Sequence, residues 1–293
     1  MHQTLVDVGA LRLAARDHPG GDPPLVCLHG LSSNARWWDL VAARLAPRWR
    51  VVAPDLRGHG ESDKPDTGYS FDAVVGDLRG LLAALRLPAA VWVGHSWGAS
   101  VALAAAAGEP AGALGVVCVD GGPVDARSVF GATWEQAEAA MSPPRLDGVE
   151  LAAIRGWAER SPLAEGSDPQ TAAEILLGNF EEIEPGRYRP RLARHRHMEI
   201  ARHIYELDAT ALLRTVRVPV LMVFASGGDP RWETAKRTAA ETALGSLDGR
   251  GTVSWIDGVH DLPVQRPAQV AAAIAGFIET ATARRGPSGD RAG

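Results

Sequence analysis

The sequence predicts an α/β fold: a mostly parallel eight-stranded sheet with helices on both faces and a helical cap inserted after the sixth strand. Short apolar runs alternate with longer helix-forming stretches through the first 120 residues, the pattern of a parallel sheet wound with helices. Residues able to do chemistry fall just past the C-terminal ends of those runs, where open sheets of this kind bind ligands. The alternation stops for roughly 90 residues and then resumes for two more strands.

In chain order, Leu5-Val6-Asp7-Val8 and the run 11–15 predict a hairpin turning at Gly9-Ala10. Leu25-Val26-Cys27-Leu28 is a short buried strand entering His29-Gly30-Leu31-Ser32-Ser33. Arg50-Val51-Val52-Ala53 is another, entering Pro54-Asp55-Leu56-Arg57-Gly58-His59-Gly60-Glu61-Ser62. Ala90-Val91-Trp92-Val93 and Leu114-Gly115-Val116-Val117-Cys118-Val119 follow, with helical stretches expected at 37–46, 70–86 and 97–108. The insert shows helical patterns near 133–141, 147–160, 169–180 and 195–214 and no convincing strand. Its turns are marked by Ser142-Pro143-Pro144 and Glu184-Pro185-Gly186. Strands at 220–224 and 253–256 and a helix over 269–278 complete the pattern. Residues 1–122 and 218–285 are assigned to the core domain, 123–217 to the cap and 286–293 to a disordered tail.

Bulk properties narrow the function. At 46% hydrophobic and 22% charged, 293 residues can bury a sizeable core. A net charge of −5 argues against nucleic acid as a partner, and no polybasic amphipathic helix argues for a membrane surface. A small-molecule substrate is the expected partner. Cys27 and Cys118 lie inside apolar runs and are read as buried, reduced thiols. The start, Met1-His2-Gln3-Thr4, opens no apolar signal core, and no run approaches the roughly 18 apolar residues of a membrane span. A cytoplasmic location is expected.

Gly94-His95-Ser96-Trp97-Gly98 carries the chemistry. A serine between two glycines at a strand-to-helix junction is a nucleophile elbow. The turn is so tight that positions two before and two after the serine must lack bulk. The strained serine is pushed clear of the backbone, and the following helix N-terminus favours developing negative charge.

With this elbow, the His29-Gly30 turn, and an acid and a histidine following later strands, the chain resembles the cap-bearing branch of the α/β-hydrolases over roughly residues 4–280. That resemblance implies Ser96 as nucleophile, His260 as its base and Asp229 as the acid that orients His260. Asp120, ending the strand at 114–119, occupies the family's less common acid position and is the alternative. Asp257 and Asp261 are read as loop or surface groups. The backbone N–H groups of Leu31 and Trp97 are the implied oxyanion donors. No metal or organic cofactor is required. His195, His197 and His203 lie in a basic cap stretch without a recognised ligand spacing. His29, His59 and His95 belong to turns around the site.

Trp37, Trp38, Trp134, Met141 and Trp157 are the pocket candidates. Dehalogenase and epoxide hydrolase chemistry in this fold uses an aspartate nucleophile, and Ser96 stands there instead. The expected activity is therefore serine hydrolysis of a carboxylic ester or lactone with a small to medium apolar substrate. Two alternatives remain: a C–C bond hydrolase or amidase with the same triad, and a ligand-binding receptor that retains it. In the C–C case Arg155, Arg191 and Arg194 are candidates for holding an acid. For aminopeptidase action the acidic cluster Glu181, Glu182 and Glu184 is the corresponding candidate.

Overall fold

The computed structural model describes residues 1–108 and 110–285. The tail assigned to 286–293 lies outside the described residues. Strands β1 (His2–Asp7), β2 (Arg12–His18), β3 (Leu25–Leu28), β4 (Val51–Pro54), β5 (Ala90–His95), β6 (Ala113–Val119), β10 (Val220–Ala225) and β11 (Gly251–Ile256) form one sheet. Their order is β1-β2-β4-β3-β5-β6-β10-β11. β1 and β2 pair antiparallel, β2 pairs antiparallel to β4, and the other pairings are parallel. The hairpin turns where the sequence predicts it, with Gly9 at a φ of 109°.

Alternation along each central strand divides the interior into two cores, because successive side chains point to opposite faces. Val26 and Leu28 of β3 join Trp92, Val116, Met222 and Phe224 on one face. Leu25 and Cys27 join Val91, Val93, Val117 and Val223 on the other. Both faces are dry, so these strands are continuously apolar, as a helix-covered parallel sheet requires. Helices Asp39–Leu45 and Pro267–Arg285 pack against each other over one face, and Phe71–Ala84 and Trp97–Gly108 over the other. Cys27 and Cys118 are free and buried, and burial pushes both thiols well above their usual pKa. No helix among the described residues is long and apolar enough to cross a membrane.

The insert differs from its expected all-helical form. Beside helices Ala126–Phe130, Trp134–Met141, Leu151–Arg160, Pro169–Leu177, Arg194–Glu206 and Ala209–Thr215, it contains three short strands. β7 (Val149–Glu150), β8 (Phe180–Glu184) and β9 (Arg187–Pro190) form an antiparallel sheet in the order β7-β9-β8. The cause lies in the turn between β8 and β9. Gly186 takes a φ of 75°, and its N–H donates to Glu182 Oε1 at 2.7 Å. At the expected turn over 184–186 the chain thus reverses, and the residues on either side pair as a hairpin.

One buried ion pair anchors the loop that follows β4. Arg57 donates through both Nε and Nη2 to Asp77 in helix Phe71–Ala84, each at 2.6 Å, and also to the Gly68 and Ala73 carbonyls. The side chains are 11% and 8% exposed, so removing one partner strands a buried charge. Asp77→Ala is expected to cost about 3–5 kcal/mol in urea denaturation. A loss below about 1 kcal/mol, the scale of an exposed pair, would show that the loop does not depend on this clamp.

Candidate active site

The turn after β5 has the geometry its sequence implies. Ser96 sits at a φ of 54°, which ordinary residues avoid. A Cβ on Gly94 would strike the Gly98 carbonyl oxygen, and one on Gly98 would strike the Leu28 carbonyl oxygen. The elbow therefore presses directly against β3. Its N–H donates to the Val119 carbonyl at 3.0 Å, tying the nucleophile position to the end of β6.

Ser96 Oγ lies 3.0 Å from His260 Nε2, and His260 Nδ1 lies 2.8 Å from Asp120 Oδ2. A carboxylate beside Nδ1 requires that nitrogen to donate, so Nε2 accepts from the serine hydroxyl. The expected acid, Asp229, is not there. It is 39% exposed, caps helix Pro230–Ser246 by accepting the Arg231 N–H at 2.8 Å, and pairs with the Arg231 guanidinium at 2.7 Å. Gly227 and Gly228, the latter at a φ of 101°, carry the chain past the end of β10 into solvent before the aspartate is reached. Asp120 ends the neighbouring strand β6 and is 1% exposed.

Sequence reasoning missed what holds Asp120. Its Oδ1 accepts the Ala225 N–H at 2.8 Å and the Lys236 ammonium at 2.7 Å. Lys236 is itself only 3% exposed and also donates to the Ala225 carbonyl at 3.2 Å. Burial alone would raise the Asp120 carboxyl, but the His260 hydrogen bond and charge, with Lys236, outweigh it and hold the pKa below its usual value. Partial desolvation opposes charge on His260. There too the bonded Asp120 carboxylate prevails, and the imidazole pKa is raised above 6.5, with Lys236 pulling the other way. A lysine inside an otherwise ordinary amphipathic helix gives no local signal of this role.

Around the serine, neutral histidines fasten the loops. His29 Nδ1 donates to the Gly30 carbonyl and its Nε2 accepts the Leu56 N–H. His59 Nδ1 donates to the Arg57 carbonyl and its Nε2 accepts the Ser32 N–H. Burial lowers these rings to a pKa of about 4 and about 3, leaving each with one donor and one acceptor. His95, lowered by burial to about 3, donates from Nε2 to the His260 carbonyl at 2.8 Å. The Leu31 and Trp97 N–H groups have no protein acceptor among the described residues. Trp97 adjoins Ser96, and Gly30 approaches so closely that a Cβ there would lie 3.1 Å from Ser96 Cβ.

A family model described as the alpha/beta hydrolase family matches residues 25–273. The chain belongs to this family. A 2-(acetamidomethylene)succinate hydrolase of Mesorhizobium japonicum is 39% identical over 115 residues, covering 39% of this chain and 41% of that relative's own length. Epoxide hydrolase A of Mycobacterium tuberculosis is 28% identical over an alignment covering 94% and 97% of the two chains. A solved structure of E-2-(acetamidomethylene)succinate hydrolase superposes with a TM-score of 0.78 at 26% identity, covering 95% of this chain and 99% of that one.

In this α/β-hydrolase a cavity of about 1100 Å³ opens between cap and core. Ser96 and His260 are not among its lining residues; the lining reaches their surroundings through Ser32, His59, Asp261 and Trp37, whose ring stacks 6.5 Å from that of His95. Of the expected pocket residues, Trp37 and Trp157 line it. Trp38 is instead fully buried in the core on the Cys27 face of the sheet, since the turn containing both tryptophans turns its ring inward. Trp134 packs on Tyr205 and under Arg202 within the cap. Met141 is absent from the lining, and its carbonyl accepts His197 Nε2–H at 2.9 Å. His197 Nδ1 in turn accepts the Ser32 hydroxyl at 2.7 Å. This cap histidine therefore braces the oxyanion-side loop, a role its place in a basic stretch did not reveal.

Substituting Lys236→Met removes a positive charge facing the pair, so the His260 pKa is expected to rise further. Imidazole NMR titration should show an upward displacement, largely reversed by Lys236→Arg. An unchanged or lower His260 pKa would remove Lys236 from the electrostatics of the site.

Proposed function

We propose that this protein is a serine hydrolase that cleaves an acyl bond through a covalent intermediate on Ser96. The observation carrying this reading is the unbroken path from Asp120 through His260 to Ser96, with bonds of 2.8 and 3.0 Å, beside two unengaged backbone donors. Ser96 Oγ attacks the acyl carbonyl as His260 Nε2 takes its proton, and Asp120 stabilises the imidazolium and fixes its tautomer. Charge developing on the carbonyl oxygen is received by the Leu31 and Trp97 N–H groups. Collapse releases the leaving group, which takes the proton from His260. Water, deprotonated by the same imidazole, then attacks the acyl-enzyme and frees Ser96.

Esters and lactones suit this machinery, and an amide is the second reading. The relative named for hydrolysing 2-(acetamidomethylene)succinate favours it, because an acetamido group is an amide. Epoxide opening is disfavoured despite the epoxide hydrolase among the relatives. The nucleophile position holds Ser96, where epoxide opening in this fold uses an aspartate.

With p-nitrophenyl esters of graded acyl length, Ser96→Ala should reduce turnover by about 10⁵–10⁶ while thermal unfolding stays unchanged. Retained activity would sink the assignment. Asp120→Asn should cost about 10⁴ in kcat, whereas Asp229→Asn should stay within about twofold. The opposite ranking would return the acid to Asp229. Because His260 must be neutral to accept the proton and its pKa is raised above 6.5, kcat/KM should fall as pH drops through a midpoint above 6.5. A midpoint below 6.5 would contradict the strength of the Asp120 pairing.

A further inference from the structure

The cavity is strongly cationic in a chain whose net charge is −5. Lys64, Arg145, Arg189, Arg191, Arg194 and Arg196 line it against only three acids, Asp147, Glu181 and Asp261. Two of the cations are neutralised locally, Arg189 by Glu181 at 2.7 Å and Arg196 by Asp66 at 2.9 Å. Lys64, Arg145, Arg191 and Arg194 have no ion-pair partner within 4.0 Å among the described residues. One of the acids has a weakened claim to charge, since burial and then nearby Asp120 raise the Asp261 carboxyl despite the opposing His260 charge.

Two of the unpaired cations converge on one neutral atom. Lys64 Nζ donates to the Gly60 carbonyl at 2.8 Å and Arg191 Nη1 donates to the same oxygen at 3.3 Å. Lys64 also donates to the Ser62 carbonyl at 2.8 Å, and Arg191 Nε to the Phe180 carbonyl at 2.8 Å. These carbonyls hold the two side chains in place without cancelling their charge. Burial and then the neighbouring Arg191 lower the Lys64 pKa, although the Glu181 and Asp55 carboxylates pull the other way. An anion placed between them would relieve that repulsion and gain two charge-assisted hydrogen bonds.

We infer that the Lys64–Arg191 corner of the cavity binds a carboxylate of the substrate, so that the hydrolase acts on acyl compounds carrying a second, ionised carboxyl group. This rests on the serine-hydrolase reading and adds to it the substrate class. The corner joins the two layers that enclose the cavity, since Lys64 belongs to the core loop after β4 and Arg191 to the cap segment after β9. A bound carboxylate would therefore also fasten the cap to the core, while Trp37, Trp157 and Leu163 supply apolar wall for the intervening carbon chain.

The test begins with binding, independent of turnover. The Ser96→Ala protein is titrated calorimetrically with succinate and glutarate, with the neutral diamide succinamide and with inorganic phosphate. Dicarboxylates should bind, succinamide should bind at least tenfold more weakly, and Lys64→Gln and Arg191→Gln should each raise the dicarboxylate Kd at least tenfold. Circular dichroism melting confirms that each variant is folded, and the exposed Arg145→Gln gives a smaller increase. Equal affinity for succinamide, a preference for phosphate, or an unchanged Kd in both folded variants would overturn the inference.

Turnover separates this from the parent reading. In the active protein the mono-p-nitrophenyl ester of glutaric acid should exceed p-nitrophenyl pentanoate at least tenfold in kcat/KM. That ratio should fall at least tenfold in Arg191→Gln. Ser96-dependent hydrolysis that favours the neutral ester would overturn the carboxylate corner alone. Hydrolysis surviving Ser96→Ala would overturn the serine mechanism and leave the binding result to decide the corner.

Discussion

A carboxylate as deeply buried as that of Asp120 is tolerable only when its oxygens are satisfied by hydrogen bonds and its charge by a cation. Here Oδ1 takes the Ala225 N–H and the Lys236 ammonium, and Oδ2 takes His260. These partners come from the end of β10, from helix Pro230–Ser246 and from the loop after β11. The requirement to satisfy one acid thus brings three separate segments to the end of β6. The same bonds aim the imidazole at Ser96. Lys236 shares the carboxylate's charge, so the pull of Asp120 on His260 is strong without being exclusive.

A second constraint shapes the other side of the serine. Loops 29–33 and 55–62 would place polar backbone in a dry region, where unpaired groups are costly. Buried histidines solve this because a neutral ring offers one donor and one acceptor at a fixed separation. His29 and His59 stitch the two loops to each other, and His197 extends the stitching into the cap through Ser32. The position of the cap over the site is therefore coupled to the loop that carries the Leu31 donor. Asn34 adds to this coupling by donating to the Ile175 carbonyl at 2.9 Å.

Legibility followed the range of the interaction concerned. The strands were visible because burial on both faces demands continuous apolar runs, and Ser96 because the elbow demands glycines at fixed distances along the chain. The placement of His260 beside Ser96 was reachable from its position after a strand. The cap hairpin was missed because β8 and β9 are short, mostly exposed strands with no continuous apolar run, and the turn at Gly186 only becomes a hairpin when the flanking strands pair. Trp37 and Trp38 could not be told apart, since adjacent residues in a tight turn diverge and only the packing decides which one meets the cavity.

The sequence by itself determined the sheet, the elbow and its serine, and the family to which the chain belongs, because each depends on local periodicity or on spacing within a few residues. Tertiary structure alone decided that the carboxylate facing His260 is Asp120 rather than Asp229. It also decided that Lys236 supports it and that Lys64 and Arg191 meet at one carbonyl oxygen. Apart from the local bond of Lys64 to Gly60, these contacts join residues 105 to 140 positions apart along the chain. Which of two aspartates is buried depends on where neighbouring strands end in space, and a linear sequence does not record that distance.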